Sequence, residues 1–260
     1  MTKIILSGCS GRMGQVVTDL AADDKDLEIS WGVDVAEGRE KAYPVYRSFE
    51  ELAENVPDAD AFKDAVIVDF SSPKVFASMM DFALSHHVNA VICTTGLSGE
   101  QIEAIEKNSA QIALLRSANM SVGVNLLMKV LRENAPTLAA AGFDIEVVEA
   151  HHNKKKDAPS GTALALADSI NSAMDEKYEY VYDRTGRFEE RRKGEIGISA
   201  IRGGSIVGDH QVIFAGTDEV VTFSHTAYSR AIFAKGALAA AKYLKGKQNG
   251  LYNMSHVIEG

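Results

Sequence analysis

The sequence predicts an α/β protein, with a doubly wound parallel-sheet unit first and a smaller α+β unit with a mixed or antiparallel sheet after it. Three observations predict this. Short apolar runs alternate with amphipathic stretches over residues 1–120. A glycine-rich turn joins the first run to the first helix. Beyond Asn119, three β-like runs follow one another with no helical period between them.

Taken in order, Lys3–Ser7 reads as a strand and Arg12–Ala22 as a helix. Glu28–Val33 is a second strand, and Val66–Phe70 a third, followed by a helix over 74–85. Asn89–Cys93 is a fourth strand with a helix over 98–107, and Ile112–Leu115 a fifth. Near-continuous apolar strands separated by helices imply a parallel sheet covered on both faces, and right-handed crossovers then wind it doubly. A long helix is expected over 122–141 with Pro136 inside it, then a strand over 143–150 and a small-residue helix over 162–174. The polar stretch 183–194 reads as a long connection. Ile196–Ile201, Gln211–Ala215 and Glu219–Ser224 are the three strands of the second sheet, and 230–244 is an alanine-rich helix.

With 260 residues, 46% of them hydrophobic, there is ample material for two cores. No apolar run reaches the roughly 18 residues of a membrane span, and the first residues read as a strand, not a signal peptide. A net charge of −9 opposes nonspecific nucleic-acid binding. Cys9 and Cys93 have neither metal-ligand spacing nor a disulfide framework, so a cytoplasmic protein with no membrane or nucleic-acid partner is expected.

Gly8-Cys9-Ser10-Gly11-Arg12-Met13-Gly14 lies between the first strand and first helix. Glycines let backbone approach a pyrophosphate, and free N–H groups at a helix start bind it. The spacing is G-x-x-G-x-x-G instead of the common G-x-G-x-x-G, and a purely structural turn is the competing reading. Asp34, just past the second strand, is placed to accept from a ribose 2′-hydroxyl, although a solvated turn aspartate would look the same. Val35 follows it, so a 2′-phosphate would meet a carboxylate without an adjacent base unless Arg12 or Arg39 swings in; NADH is therefore favoured over NADPH. Cys93-Thr94-Thr95-Gly96 and Ser117-Ala118-Asn119-Met120 sit at carboxyl ends of strands and suit a flat nicotinamide ring. They equally suit ordinary strand-to-helix connections.

The stretch from Glu149 to Ala163 concentrates reactive groups. Ser160, Gly161 and Thr162 open a helix and offer N–H groups and hydroxyls to a carboxylate. His151, His152 and Lys155 precede them and can supply positive charge and a proton to a small dianionic, unsaturated substrate. Each part has a plainer explanation: surface histidines, a solvated Lys154–Lys156 face, a simple helix cap. No metal is expected, because adjacent histidines lack i, i+4 pairing and no cysteine or acid cluster supports them.

Glu149-Ala150-His151-His152, with Lys155, Asp157 and Pro159-Ser160-Gly161-Thr162-Ala163, resembles the signature of the dihydrodipicolinate reductase family. The glycine loop, Thr94-Thr95-Gly96, the Asn119 loop and the segment from Arg202 to His210 are similar to it too, so the resemblance runs along essentially the whole chain. It implies hydride transfer from NAD(P)H to 4-hydroxy-tetrahydrodipicolinate, via dihydrodipicolinate, in lysine and diaminopimelate biosynthesis. It further implies that His151 is an acid/base, Lys155 the proton donor, and His152 with Ser160, Gly161 and Thr162 the carboxylate grip. The cofactor would be held by Gly8, Cys9, Ser10, Gly11, Arg12, Met13, Asp34, Cys93, Thr94, Thr95, Ser117, Ala118, Asn119 and Met120. A homotetramer built on the central sheet is implied as well. So is a first domain of 1–121 completed by 231–260 around a substrate domain of 122–230. Cys93, Met120 and Val35 depart from the family's usual residues and bear on cofactor choice. Two other readings remain: a semialdehyde dehydrogenase, which would want a catalytic cysteine or another acid/base set, and an NADH-binding sensor, which would not need Lys155.

Overall fold

The computed structural model describes residues 1–36 and 38–260. Along the chain run β1 (Thr2–Ser7), α1 (Arg12–Ala22), β2 (Leu27–Val33), β3 (Val45–Tyr46), α2 (Phe49–Asn55), a 3-10 turn (Ala59–Phe62), β4 (Ala65–Asp69) and α3 (Phe76–Ser85). β5 (Asn89–Ile92), α4 (Gly99–Asn108), β6 (Ala113–Arg116), α5 (Val122–Ala140), β7 (Asp144–His151), α6 (Gly161–Asn171) and β8 (Glu179–Val181) follow. β9 (Glu195–Arg202), β10 (Gly208–Ala215), β11 (Val220–Ala227), α7 (Ala231–Leu244), β12 (Gly250–Tyr252) and α8 (Met254–Glu259) complete it. Contacts divide the chain into Met1–Ser121 with Ala231–Gly260, and Val122–Arg230.

The first unit is a seven-stranded parallel sheet in the order β12-β6-β5-β4-β1-β2-β3. Alternate residues of one strand serve opposite faces. Ile4 and Leu6 of β1, with Val66 and Val68 of β4, pack against Val17, Ala237 and Leu244 from α1 and α7. Ile5 and Ile67 pack the other way, against Phe49, Met79 and Ile105 from α2, α3 and α4. The central residues of these strands, Ile4–Leu6 and Val66–Val68, are apolar in succession because both faces are covered, and each fully buried large side chain stabilises the fold by about 1.5–3 kcal/mol. Helix starts are set locally: Ser48 accepts from the Glu51 N–H, and Ser98 and Gln101 form a reciprocal capping box. Chain order reverses between β1 and β4, which places the crevice for a ligand at the carboxyl ends of those two strands.

The second unit is a five-stranded mixed sheet, β11-β10-β7-β9-β8. β7 pairs antiparallel with β10 and parallel with β9, and β10 pairs antiparallel with β11. One face carries the core: Ile145, Val147, Ile198, Val212 and Phe214 pack under Leu131 of α5 and Leu166 and Ile170 of α6. The connection over 182–194 is tied down by charge, with Arg184 donating to Glu146 and Glu195 at 2.6 Å each and Arg191 to Asp144 at 2.7 Å.

Candidate active site

In the first unit, the cradle begins where β1 turns into α1. Gly8 has φ +77°, and a Cβ there would lie 2.6 Å from the Phe70 carbonyl oxygen. A Cβ at Gly14 would lie 2.2 Å from the Gly8 carbonyl oxygen, so strand, turn and helix close to a distance only glycine permits. Gly11 caps α1 without a side-chain hydrogen bond, which leaves first-turn N–H groups for an anion. Asp34 braces the loop: its Oδ2 accepts from the Ser10 N–H and its Oδ1 from the Ala36 N–H, both at 2.9 Å. Each carboxylate oxygen retains a second acceptor site for a ribose hydroxyl. A cavity of ≈ 450 Å³ opens here, lined among others by Ser10, Asp34, Gly38, Arg39, Lys41 and Tyr43. The residues present thus fit a dinucleotide.

The other predicted cofactor residues divide by exposure. Cys9 is fully buried in the core, where burial and then Asp34 push its thiol pKa up; only its backbone is offered. Burial, then Asp69, pushes the Cys93 thiol well up, so neither cysteine is an activated nucleophile of the kind a semialdehyde dehydrogenase would use. Thr94 is buried and donates to Asp69 Oδ2 at 2.6 Å, while Ser71 donates to Asp69 Oδ1 through both its hydroxyl and its N–H. Arg12, Thr95 and Ala118 are exposed, and Met13 and Ser117 half-buried. Asn119 Oδ1 accepts from the Ser121 N–H at 2.8 Å, and the Met120 side chain is part of the core.

In the second unit, β7 alternates so that Ile145, Val147, Glu149 and His151 all point to the buried side. Glu149 is fully buried. Its carboxylate takes His151 Nδ1 at 2.6 Å, the Ser160 N–H at 2.9 Å, and both terminal nitrogens of Arg202 at 2.7 Å each. Burial alone would raise its pKa, but the bonds from Arg202 and His151 outweigh that and lower it. An ionised carboxylate only accepts, so Nδ1 of His151 carries a proton and donates it, which leaves Nε2 as the ring nitrogen that Glu149 does not engage. A Cβ at residue 208 would sit 3.1 Å from Nε2; Gly208 keeps that atom uncovered. His210 stacks edge-on to His151 at 5.1 Å and shares a 3.0 Å hydrogen bond with the Ser160 hydroxyl.

Ser160 caps α6 by accepting from the Ala163 N–H at 3.1 Å, so Gly161 and Thr162 form its first turn. Lys155 Nζ pairs with Asp157 at 2.9 Å, and its own N–H donates to the His152 carbonyl. His152 is half-buried, with its Nδ1 lacking a partner among the described residues. His151, Ser160 and the start of α6 are therefore gathered around one carboxylate, with Lys155 and His152 on the loop between them. Glu149, Arg202 and His210 enter the sequence reading only inside motifs, with no role assigned to any of them, and Asp69 only as part of a strand. The available signal was polarity at a core-facing position: Glu149 and His151 continue the buried alternation of Ile145 and Val147.

Family models described as dihydrodipicolinate reductase, N-terminus and C-terminus, match residues 2–120 and 123–258. A 4-hydroxy-tetrahydrodipicolinate reductase of Caldanaerobacter subterraneus subsp. tengcongensis is 47% identical over 259 residues, covering 100% of this chain and 99% of that one. The Clostridium tetani enzyme of the same name is 45% identical, covering 98% and 96%. A dipicolinate-bound dihydrodipicolinate reductase structure from Paenisporosarcina sp. TG-14 superposes with a TM-score of 0.75 at 25% identity, over 99% of each chain. On this similarity the chain belongs to the dihydrodipicolinate reductase family.

Proposed function

We propose that this protein is an NAD(P)H-dependent reductase of 4-hydroxy-tetrahydrodipicolinate, acting via dihydrodipicolinate to give tetrahydrodipicolinate in lysine and diaminopimelate biosynthesis. The observation that carries the reading is the Glu149 cluster, which fixes the His151 tautomer and anchors the cap of α6 with one carboxylate. A reduced nicotinamide, when bound, supplies the hydride to C4 of the ring. Lys155 delivers the proton to C3 after leaving Asp157, and His151 acts as acid/base through Nε2. The first turn of α6, Gly161 and Thr162, with His152, grips a substrate carboxylate; cations and helix N–H groups lower the energy of the electron-rich ring as hydride arrives. The substrate class is a small dicarboxylate, in keeping with the dipicolinate-bound relative.

We favour NADH over NADPH, since Asp34, a ready acceptor for a ribose hydroxyl, lines the cavity beside Val35, which brings no charge. Arg39 is engaged by Asp19, and Lys41 donates to the Cys9 carbonyl at 3.1 Å, so these cations would have to exchange partners for a 2′-phosphate. A homotetramer is proposed through the sheet face of the second unit opposite α5 and α6, where Ser199, Ile201, Gln211 and Ser224 are exposed. A mass measurement in solution checks it. Free Cys9 and Cys93 suit a reducing cytoplasm.

The test couples a synthase that condenses aspartate semialdehyde with pyruvate to oxidation of NADH or NADPH by this protein. Synthase-dependent oxidation is expected, faster with NADH. Lys155→Ala should abolish turnover while NADH binding survives, and equal loss of both would overturn the role of Lys155; in the unsubstituted protein, NADH binding without any turnover would favour the sensor.

A further inference from the structure

We infer that Arg202 is a positioning residue: its two-pronged hold on Glu149 competes with His151 for the charge of that carboxylate and so sets how strongly Glu149 can draw a proton onto the ring. This rests on the acid/base reading of His151. The geometry is a three-way share of one buried anion. Arg202 spans both carboxylate oxygens at 2.7 Å, His151 Nδ1 takes one of them at 2.6 Å, and the Ser160 N–H takes the other. Arg202 is itself held by the carbonyls of Ile201 at 2.8 Å and Asp157 at 2.6 Å, which ties the Lys155 loop to the same guanidinium.

Charged and titratable groups face the His151 ring from several elements. On its own strand stands Glu149; from the end of β9 comes Arg202; from β10 comes His210, with Asp209 and His225 behind it. α6 contributes Ser160, which carries no charge. With Arg202 in place, Glu149 is already neutralised, and a proton on His151 would make the buried cluster cationic. Without Arg202, the carboxylate would be buried with no strong cation, and protonating His151 becomes the cheapest compensation. Replacing Glu149 instead leaves the Arg202 cation facing the ring and opposes protonation. The two single substitutions must therefore move His151 in opposite directions, which loss of packing cannot do.

The experiment follows the His151 ring by nuclear magnetic resonance across pH in the full chain, alongside the pH profile of kcat/KM. In Arg202→Met the ring's protonation midpoint should rise by about one pH unit or more, and the matching limb of the profile should rise with it. In Glu149→Gln it should fall, and in the double variant it should return toward the parent value. Should Arg202→Met not fold, Glu149→Gln and Arg202→Lys carry the test, with Arg202→Lys expected to stay near the parent. Shifts of the same sign in both directions of charge removal, or no shift, would overturn the inference. The acid/base reading fails separately: it falls if His151→Gln turns over at the parent rate, whatever the resonance midpoints do.

Discussion

Acidification should weaken the second unit through one buried histidine. His210 is 5% exposed, and burial, followed by the His151 ring, pushes its pKa down to about 4. An unfolded histidine titrates near 6.5, so between about 6.5 and 4 the unfolded chain binds the extra proton. The stability this neutral ring permits is complete above that window and is lost as pH falls through it. Linkage gives a loss of about 2 kcal/mol between pH 7 and pH 5, approaching about 3 kcal/mol below pH 4. His210→Gln keeps a hydrogen-bonding group near the Ser160 hydroxyl but cannot titrate. Urea unfolding should be followed by circular dichroism, because the single tryptophan, Trp31, lies in the other unit. The parent should lose about 2 kcal/mol more than His210→Gln from pH 7 to pH 5. Carboxylates such as Glu149, whose pKa is lowered, lose their contribution only at lower pH and do so in both proteins. Equal pH slopes for the two proteins would refute the argument.

Two further substitutions separate the halves of the chemistry. Gly208→Ala puts a methyl 3.1 Å from His151 Nε2, so turnover should fall by roughly ten- to a hundredfold with NADH affinity unchanged, read by steady-state kinetics and fluorescence titration. Gly14→Ala drives a methyl to 2.2 Å from the Gly8 carbonyl oxygen. A backbone shift costing about 1–3 kcal/mol should raise the NADH dissociation constant about tenfold or more, while calorimetric binding of pyridine-2,6-dicarboxylate to the second unit stays the same.

The parallel sheet was legible because β1 and β4 carry successive apolar residues, Ile4–Leu6 and Ala65–Val68, while β2 alternates with Glu28 and Ser30, and α1 begins and ends at the expected residues, Arg12 and Ala22. Elements that escaped are short or amphipathic. β3 has two residues and β12 three, and both owe their existence to pairing with a neighbour, β2 and β6 respectively. α2 is seven residues, anchored by Phe49 and Leu52 in a core that only tertiary contact reveals. β8, also three residues, is held parallel to β9 beside the arginine-tethered connection. β10 and β11 run longer than their apolar runs, because Gly208-Asp209-His210 and His225-Thr226-Ala227 pair with each other across the ladder. Periodicity registers burial, and these residues enter the sheet through backbone hydrogen bonds.

The same distinction explains the site. The loop from His151 to Thr162 could be read from residue types crowded in a short segment, but its support comes from far along the chain: Arg202 is 53 residues from Glu149, and His210 is 50 from Ser160. Those partners follow from a physical requirement. A strand that aims a histidine out of its core-facing row must also bury the acid two residues before it, and an ionised carboxylate in that position needs a cation and N–H donors. β9 lies parallel to β7 with His151 opposite Arg202, so the end of that neighbouring strand is where a guanidinium can reach across to Glu149. β10, on the other side, brings Gly208 and His210 to the ring. Strand order thus selects the site's supporting residues, and a mixed sheet, with a parallel neighbour on one side and an antiparallel one on the other, lets two distant strand ends converge on one histidine.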